Sequence, residues 1–179
     1  MSANKLTSKD FTKIIHLKVY NSFILCSRLF SKVFKGVFLS YNIWVKKHAA
    51  VHKTIIAKLI KQGLSKEQII DYFDFENMKE KERDFCPLYA KNKKCHEMQE
   101  LNCYLCACPN FLFNDAGFKN VDGKTEFSYC SIASKDGKQG IYGDAIHQDC
   151  SQCSVPHHRS YVEKHFHLEW AEIMKVCKS

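Results

Sequence analysis

Apolar residues recur at helical spacing from residue 11 to residue 45. Val33, Phe34, Val37, Phe38, Tyr41, Trp44 and Val45 form one stripe, and Arg28, Lys32 and Lys35 lie on another face. The pattern predicts a basic amphipathic helical extension over residues 1–46. Residues 47–62 predict the next helix, with Val51, Ile55, Ile56, Leu59 and Ile60 on one side and Gly63 where a helix commonly ends. Ser65 and Gln68 then have capping-box spacing. They open a helix that carries Ile69, Ile70, Tyr72, Phe73 and Phe75 and ends in the charged run from Lys79 to Asp84. Residues 160–178 predict a last helix, capped by Ser160 and Glu163, with Val162, Phe166, Trp170, Ile173, Met174 and Cys177 on its buried face. Between them, only residues 125–131 alternate as a strand does. The expectation is an α+β protein, mostly α overall. It has three parts: the extension 1–46, a helical pair 47–84, and a domain 85–179 that ends in a helix.

Charge is unevenly distributed. Residues 1–62 hold twelve Lys or Arg against the single acid Asp10, net +11, whereas residues 85–179 balance at eleven each. The basic third is the candidate surface for an acidic partner protein or a nucleic acid. Lysines interrupt the first twenty residues, so no export signal is visible. The longest uncharged stretch, residues 101–114, has fourteen residues, short of the roughly 20 that span a bilayer. These features predict a cytoplasmic protein without a transmembrane segment. No GxGxxG or GxxxxGK[ST] string is present, which argues against the common nucleotide-binding folds.

Ten cysteines change the picture, because eight of them fall between Cys86 and Cys153. In a reducing compartment, clustered thiols point to metal and away from disulfides. Two CxxC pairs, Cys103/Cys106 and Cys150/Cys153, stand 43 residues apart. Two residues between thiolates let one tight turn aim both sulfurs at one ion, and two such turns meeting across space make a four-thiolate site. Cys108, too close to Cys106 for an easy share in that site, would join Cys86, Cys95 and Cys130 in a second, with His96 or His157 able to replace one member. Spacing alone leaves the pairing open. Thiolate donors suit two Zn2+ ions first and an iron–sulfur cluster second, since the ferredoxin spacing is absent. Eight thiols for two ions would close both sites, which favours structural metal in a binding or scaffold module; an iron–sulfur or open-site zinc protein with redox or hydrolytic activity is the alternative. If there is chemistry, His147, Asp149 and His157 are its nearest actors. The remaining histidines His16, His48, His52, His165 and His167, and the cysteines Cys26 and Cys177, fit structural or surface roles.

Several strings carry a family resemblance: Cys86-Pro87-Leu88-Tyr89, Cys95-His96, Asn102-Cys103 through Cys106 to Cys108-Pro109, and Asp149-Cys150-Ser151 through Cys153 to Pro156-His157. Over about residues 85–165 the chain resembles the bacterial and archaeal cysteine-rich small domain, a zinc-finger-like family. The resemblance implies a small metal-stabilised, zinc-finger-like domain flanked by helices. It places Cys86, Cys95, Cys103, Cys106, Cys108, Cys130, Cys150, Cys153, His96 and His157 at metal-binding positions. It implies metal binding and names no reaction.

Overall fold

The computed structural model describes residues 30–174, with side chains from residue 43 onward. His16, Cys26, Arg28 and Cys177 lie outside the described residues, as does the first part of the basic extension. Helix α1 (Phe30–Lys61) runs unbroken across residues 46 and 47, so the sequence boundary between extension and helical pair falls inside one helix. It is followed by Gly63, whose φ of 76° is the left-handed value expected there. Helix α2 (Lys66–Tyr72) opens with the predicted capping box, Ser65 and Gln68 each satisfying the other's backbone amide.

The inward face of α1 differs from the one read in sequence. Ile55, Ile56 and Leu59 are buried, but Val51 and Ile60 are 44 % and 49 % exposed. His48 and His52, one turn apart, take the inward positions instead. Their rings pack among aromatics. His48 stacks on Trp44 and meets Phe85 and Trp170, while His52 lies against Phe73 and Tyr104. Burial lowers the pKa of His48 to about 4 and that of His52 to about 3, so both imidazoles are neutral at pH 7.

Two predicted helices are each broken in two by tertiary hydrogen bonds. The run after Ser65 divides into α2 and α3 (Phe75–Lys81) at Asp74, which is extended at φ −63°, ψ 142°. There Asn102 donates its side-chain amide to the Ile70 carbonyl at 2.7 Å and to Asp74 Oδ1 at 2.8 Å. The backbone of Phe75 and Phe73 also pairs with Leu101 and Cys103. The last helix divides into α4 (Arg159–His165) and α5 (Trp170–Ile173), and its N-cap is His158 in place of Ser160. Tyr104 donates its hydroxyl to the His167 carbonyl at 2.8 Å within the break.

Residues 106–153 hold all the strands among the described residues. Strands β1 (Phe111–Phe113) and β4 (Ser128–Cys130) form an antiparallel pair. Strands β2 (Lys119–Val121), β3 (Lys124–Glu126), β5 (Lys138–Tyr142) and β6 (Ala145–Asp149) form a four-stranded sheet ordered β2-β3-β6-β5, with β3 and β6 parallel. The predicted strand 125–131 therefore bends at Phe127 and serves both sheets. A two-residue turn, Asp122-Gly123, links β2 to β3 with both φ values positive, as a hairpin of this twist requires. The protein is α+β, as expected, but "mostly α" fits it poorly: among the described residues five α-helices stand beside six strands in two sheets. The extra strand content comes from hairpins built around turn residues, whose strands of three to five residues are too short to set up a periodic signal.

One apolar cluster joins α1, α2 and α3 to Phe85, Tyr89, Leu101, Tyr104, Leu105, Val162, Trp170 and Met174. None of the strand residues belongs to it. No helix among the described residues is long and apolar enough to cross a membrane.

Candidate metal centre

All eight cysteines from Cys86 to Cys153 are thiols, and they fall into two groups. Burial pushes the Cys103 thiol up to about 12, and the neighbouring Cys95 and Cys86 add to the shift. Cys95 is likewise raised to about 12 by burial and then by Cys86. The buried Tyr89 phenol, also raised, faces Cys103, Cys86 and Cys106. In the other group, burial raises Cys150 to about 12, followed by the effects of Cys108, Cys153, Cys130 and Asp149. Cys108 is raised to about 11 by burial, with Cys153 and Cys130 again as its thiol neighbours.

The two CxxC pairs thus stand in different groups, against the pairing favoured from spacing. Cys103/Cys106 goes with Cys86 and Cys95, whereas Cys150/Cys153 goes with Cys108 and Cys130. The switch lies between Cys106 and Cys108. Ala107 and Cys108 adopt φ values of 80° and 50°, left-handed conformations that side chains other than glycine rarely take. Two such residues in succession turn the chain sharply, and Cys108 leaves the group of its neighbour.

Only the first group holds a convergence of three ligand atoms among the described residues; the second is a neighbourhood of thiols without one. Cys95 Sγ, one nitrogen of His96 and one of His157 all lie within 4.8 Å of one another. His96 Nδ1 is 3.2 Å from Cys95 Sγ, and His157 Nε2 is 3.7 Å from it. Each ring is anchored through its other nitrogen to a backbone carbonyl, His157 Nδ1 to Asn102 at 2.9 Å and His96 Nε2 to Cys150 at 3.3 Å. A carbonyl only accepts, so the proton of each ring sits on the anchored nitrogen and the lone pair of the other faces Cys95. Metal-binding histidines are held in this way. His157 is only 6 % exposed, and burial lowers its pKa to about 4 against the opposing Asn102 hydrogen bond. It presents a neutral ring at pH 7.

Asn102, which the sequence strings include without a role, builds this site. Its side chain ties α2 to Asp74, its side-chain oxygen accepts from the Tyr104 amide at 2.9 Å, its own amide donates to the His157 carbonyl, and its carbonyl holds the His157 ring. Its place immediately before Cys103 is the one sequence signal that could have flagged it.

In the second group, Asp149 Oδ1 accepts from the Ser151 amide at 2.9 Å, inside the Cys150/Cys153 turn. Ser134 Oγ lies 3.2 Å from Cys153 Sγ. His147 stands apart from His157: its Nδ1 is 3.3 Å from Ser128 Oγ and its ring stacks on Phe127. The three residues considered for catalysis do not converge. Of the lysines on α1, Lys53 pairs with Glu169 and Lys58 with Glu82. Compared with protein-family models, curated proteins and solved structures, the chain matches none.

Proposed function

We propose that the protein is a zinc-binding scaffold whose two metal centres fold and hold the region from Cys86 to His157. The first centre takes Cys95, His96 and His157, with Cys86 and Cys103 as the thiols in reach for a fourth position and Cys106 beside them. The second takes Cys108, Cys130, Cys150 and Cys153. The observation that carries this reading is the orientation of His96 and His157, each with its N–H on a backbone carbonyl and its basic nitrogen turned to the Cys95 sulfur. Mixed sulfur and imidazole donors at tetrahedral number suit zinc, and the second group is an all-sulfur set that zinc also accepts. A zinc-finger-like domain in the cytoplasm, resembling the cysteine-rich small domain, fits this assignment.

A second reading is favoured by one fact: among the described residues only three ligating atoms, of Cys95, His96 and His157, converge within 4.8 Å. Three protein ligands with a place for water are the arrangement of catalytic zinc, and hydrolysis would then belong to the first centre. Elemental analysis of freshly purified protein, with its visible absorption, tests the main reading. Two zinc per chain and no colour are expected. Brown protein with iron and labile sulfide would overturn it, and one zinc retained in Cys150→Ser but lost in His157→Ala would confine metal to the first centre.

A further inference from the structure

A groove of about 540 Å³ runs between the end of α1 and the link from α4 to α5. Ile56 and Ile60 of α1 line one side, and Phe166 and Leu168 of the link line the other. Ile56 is buried, but Ile60 and Leu168 are 49 % and 42 % exposed. A single exposed aliphatic side chain is ordinary on a protein surface, whereas two that line one recess leave apolar area there for a partner's side chain to cover.

The charge around the groove selects the partner. Helix α1 carries seven lysines and no acidic residue. Lys53 lines the groove and pairs at 3.2 Å with Glu169, the one carboxylate of the lining among the described residues. With side chains 69 % and 47 % exposed, that pair is weak, and a competing carboxylate would exchange with it. At the far end stand Lys61, one helical turn beyond the lining residue Ala57, and Lys66, whose ammonium lies 5.5 Å from the centre of the Phe166 ring. Among the described residues neither is ion-paired. Lys66 donates to the Glu163 carbonyl, and the Glu163 carboxylate is held by Arg159. The groove thus combines an apolar floor with a net positive rim. A nucleic acid fits it less well, because bases stack on open aromatic faces and the Phe166 ring is packed by Lys66 and by Tyr104 at 4.9 Å. A bilayer would meet a flat or protruding apolar face, and this one is recessed.

We propose that this groove docks an acidic amphipathic helix of a partner protein, with apolar anchors on Ile56, Ile60, Phe166 and Leu168 and carboxylates on Lys53, Lys61 and Lys66. Ile56 and Ile60 stand one turn apart, the spacing at which an opposing helix presents its own anchors. None of these residues is a proposed metal ligand, so docking and zinc content are tested separately.

The test is titration of the full-length, zinc-supplemented protein with a terminally blocked peptide of about twelve residues, with Leu at i, i+4 and i+7 and Glu at most other positions, followed by amide NMR. Shifts confined to residues 53–61, 66 and 166–169 are expected, with affinity falling as salt is added. Ile60→Asp, at a half-exposed position, should weaken binding about tenfold or more. Lys61→Glu should weaken it about threefold or more and flatten the salt dependence. Ile141→Asp, at an apolar position on β5 that is 63 % exposed, should leave it unchanged. The proposal fails if the peptide leaves the groove amides unshifted, if a Leu-to-Ser or a Glu-to-Lys version of it binds as tightly, or if Ile60→Asp binds as the wild type does. It fails equally if a single-stranded oligonucleotide or an anionic phospholipid vesicle shifts the same amides at lower concentration, or if the protein alone dimerises through them.

Discussion

The helical layer and the strand region solve the same problem with different means. Around α1, α2 and α3, one continuous apolar cluster buries Leu59, Ile69, Ile70, Phe73, Met78, Tyr104 and Trp170 almost completely. Residues 106–153 bury few large apolar side chains, chiefly Phe111, Leu112 and Ile146, and carry five of the cysteines in a region of six short strands. A short stretch with so little apolar burial rarely holds itself together, and metal is a usual substitute. The first thiol group sits where the two regions meet, with Cys103 in the apolar cluster and Cys86 and Cys95 packed against it. The difference is that the helical layer has a continuous apolar core of its own, whereas on the proposed reading the strand region is held by its metal ligands.

Chelation should expose this contrast most strongly. Removing metal at neutral pH is expected to melt residues 106–153, with loss of amide protection there and a fall in thermal midpoint, while much of the far-UV helical signal survives. Structural zinc contributes on the order of 10 kcal/mol in small domains, so the effect should be large. Uniform melting of both regions, or no change in either, would erase the contrast.

Asn102→Ala should come next in size. Asn102 is 2 % exposed and its side chain makes three hydrogen bonds, to Ile70, Asp74 and Tyr104, that tie α2 to the chain beside His157. Leaving the Ile70 carbonyl and the Tyr104 amide without partners should cost about 2–4 kcal/mol by urea denaturation, and should lower zinc affinity as the His157 anchor loosens. Wild-type stability in this variant would show that the junction is held elsewhere.

A smaller effect separates the helical layer by pH. His48 and His52 have folded pKa values of about 4 and about 3, below the ordinary 6.5, so the unfolded chain binds more protons between these limits. Stability therefore rises with pH: the contribution of each ring is complete above pH 6.5 and is lost as pH falls toward 4. The slope is about 1.4 kcal/mol per pH unit for each histidine. Urea midpoints from pH 7 to pH 4.5, in wild type and in a His48→Phe, His52→Phe variant, check this. The variant should show the shallower dependence, and parallel curves would refute the assignment.

What the sequence made legible was local. Gly63, the Ser65–Gln68 box and the inward Ile55, Ile56 and Leu59 need only neighbours three or four positions away, and all stand where periodicity put them. The breaks at Asp74, Phe127 and residues 166–169 escaped because their causes are remote in sequence: Asn102 on Ile70, β1 and β6 on either side of Phe127, Tyr104 on His167. The thiols were legible as a cluster. Their partition was not, since it turns on the left-handed backbone of Ala107 and Cys108, which no spacing rule encodes. His96 and His157 could be named from their place beside cysteines, whereas the carbonyl anchors that set their tautomers belong to residues 54 and 55 positions away.

Cadmium-113 NMR of the cadmium-substituted protein tests the central claim most directly, because the chemical shift reports how many sulfurs surround each ion. The account predicts two resonances of equal intensity. One is an all-sulfur signal that Cys130→Ser abolishes or shifts, and the other is a mixed sulfur–nitrogen signal that His157→Ala abolishes or shifts. A single resonance, or two all-sulfur resonances indifferent to His157→Ala, would contradict it.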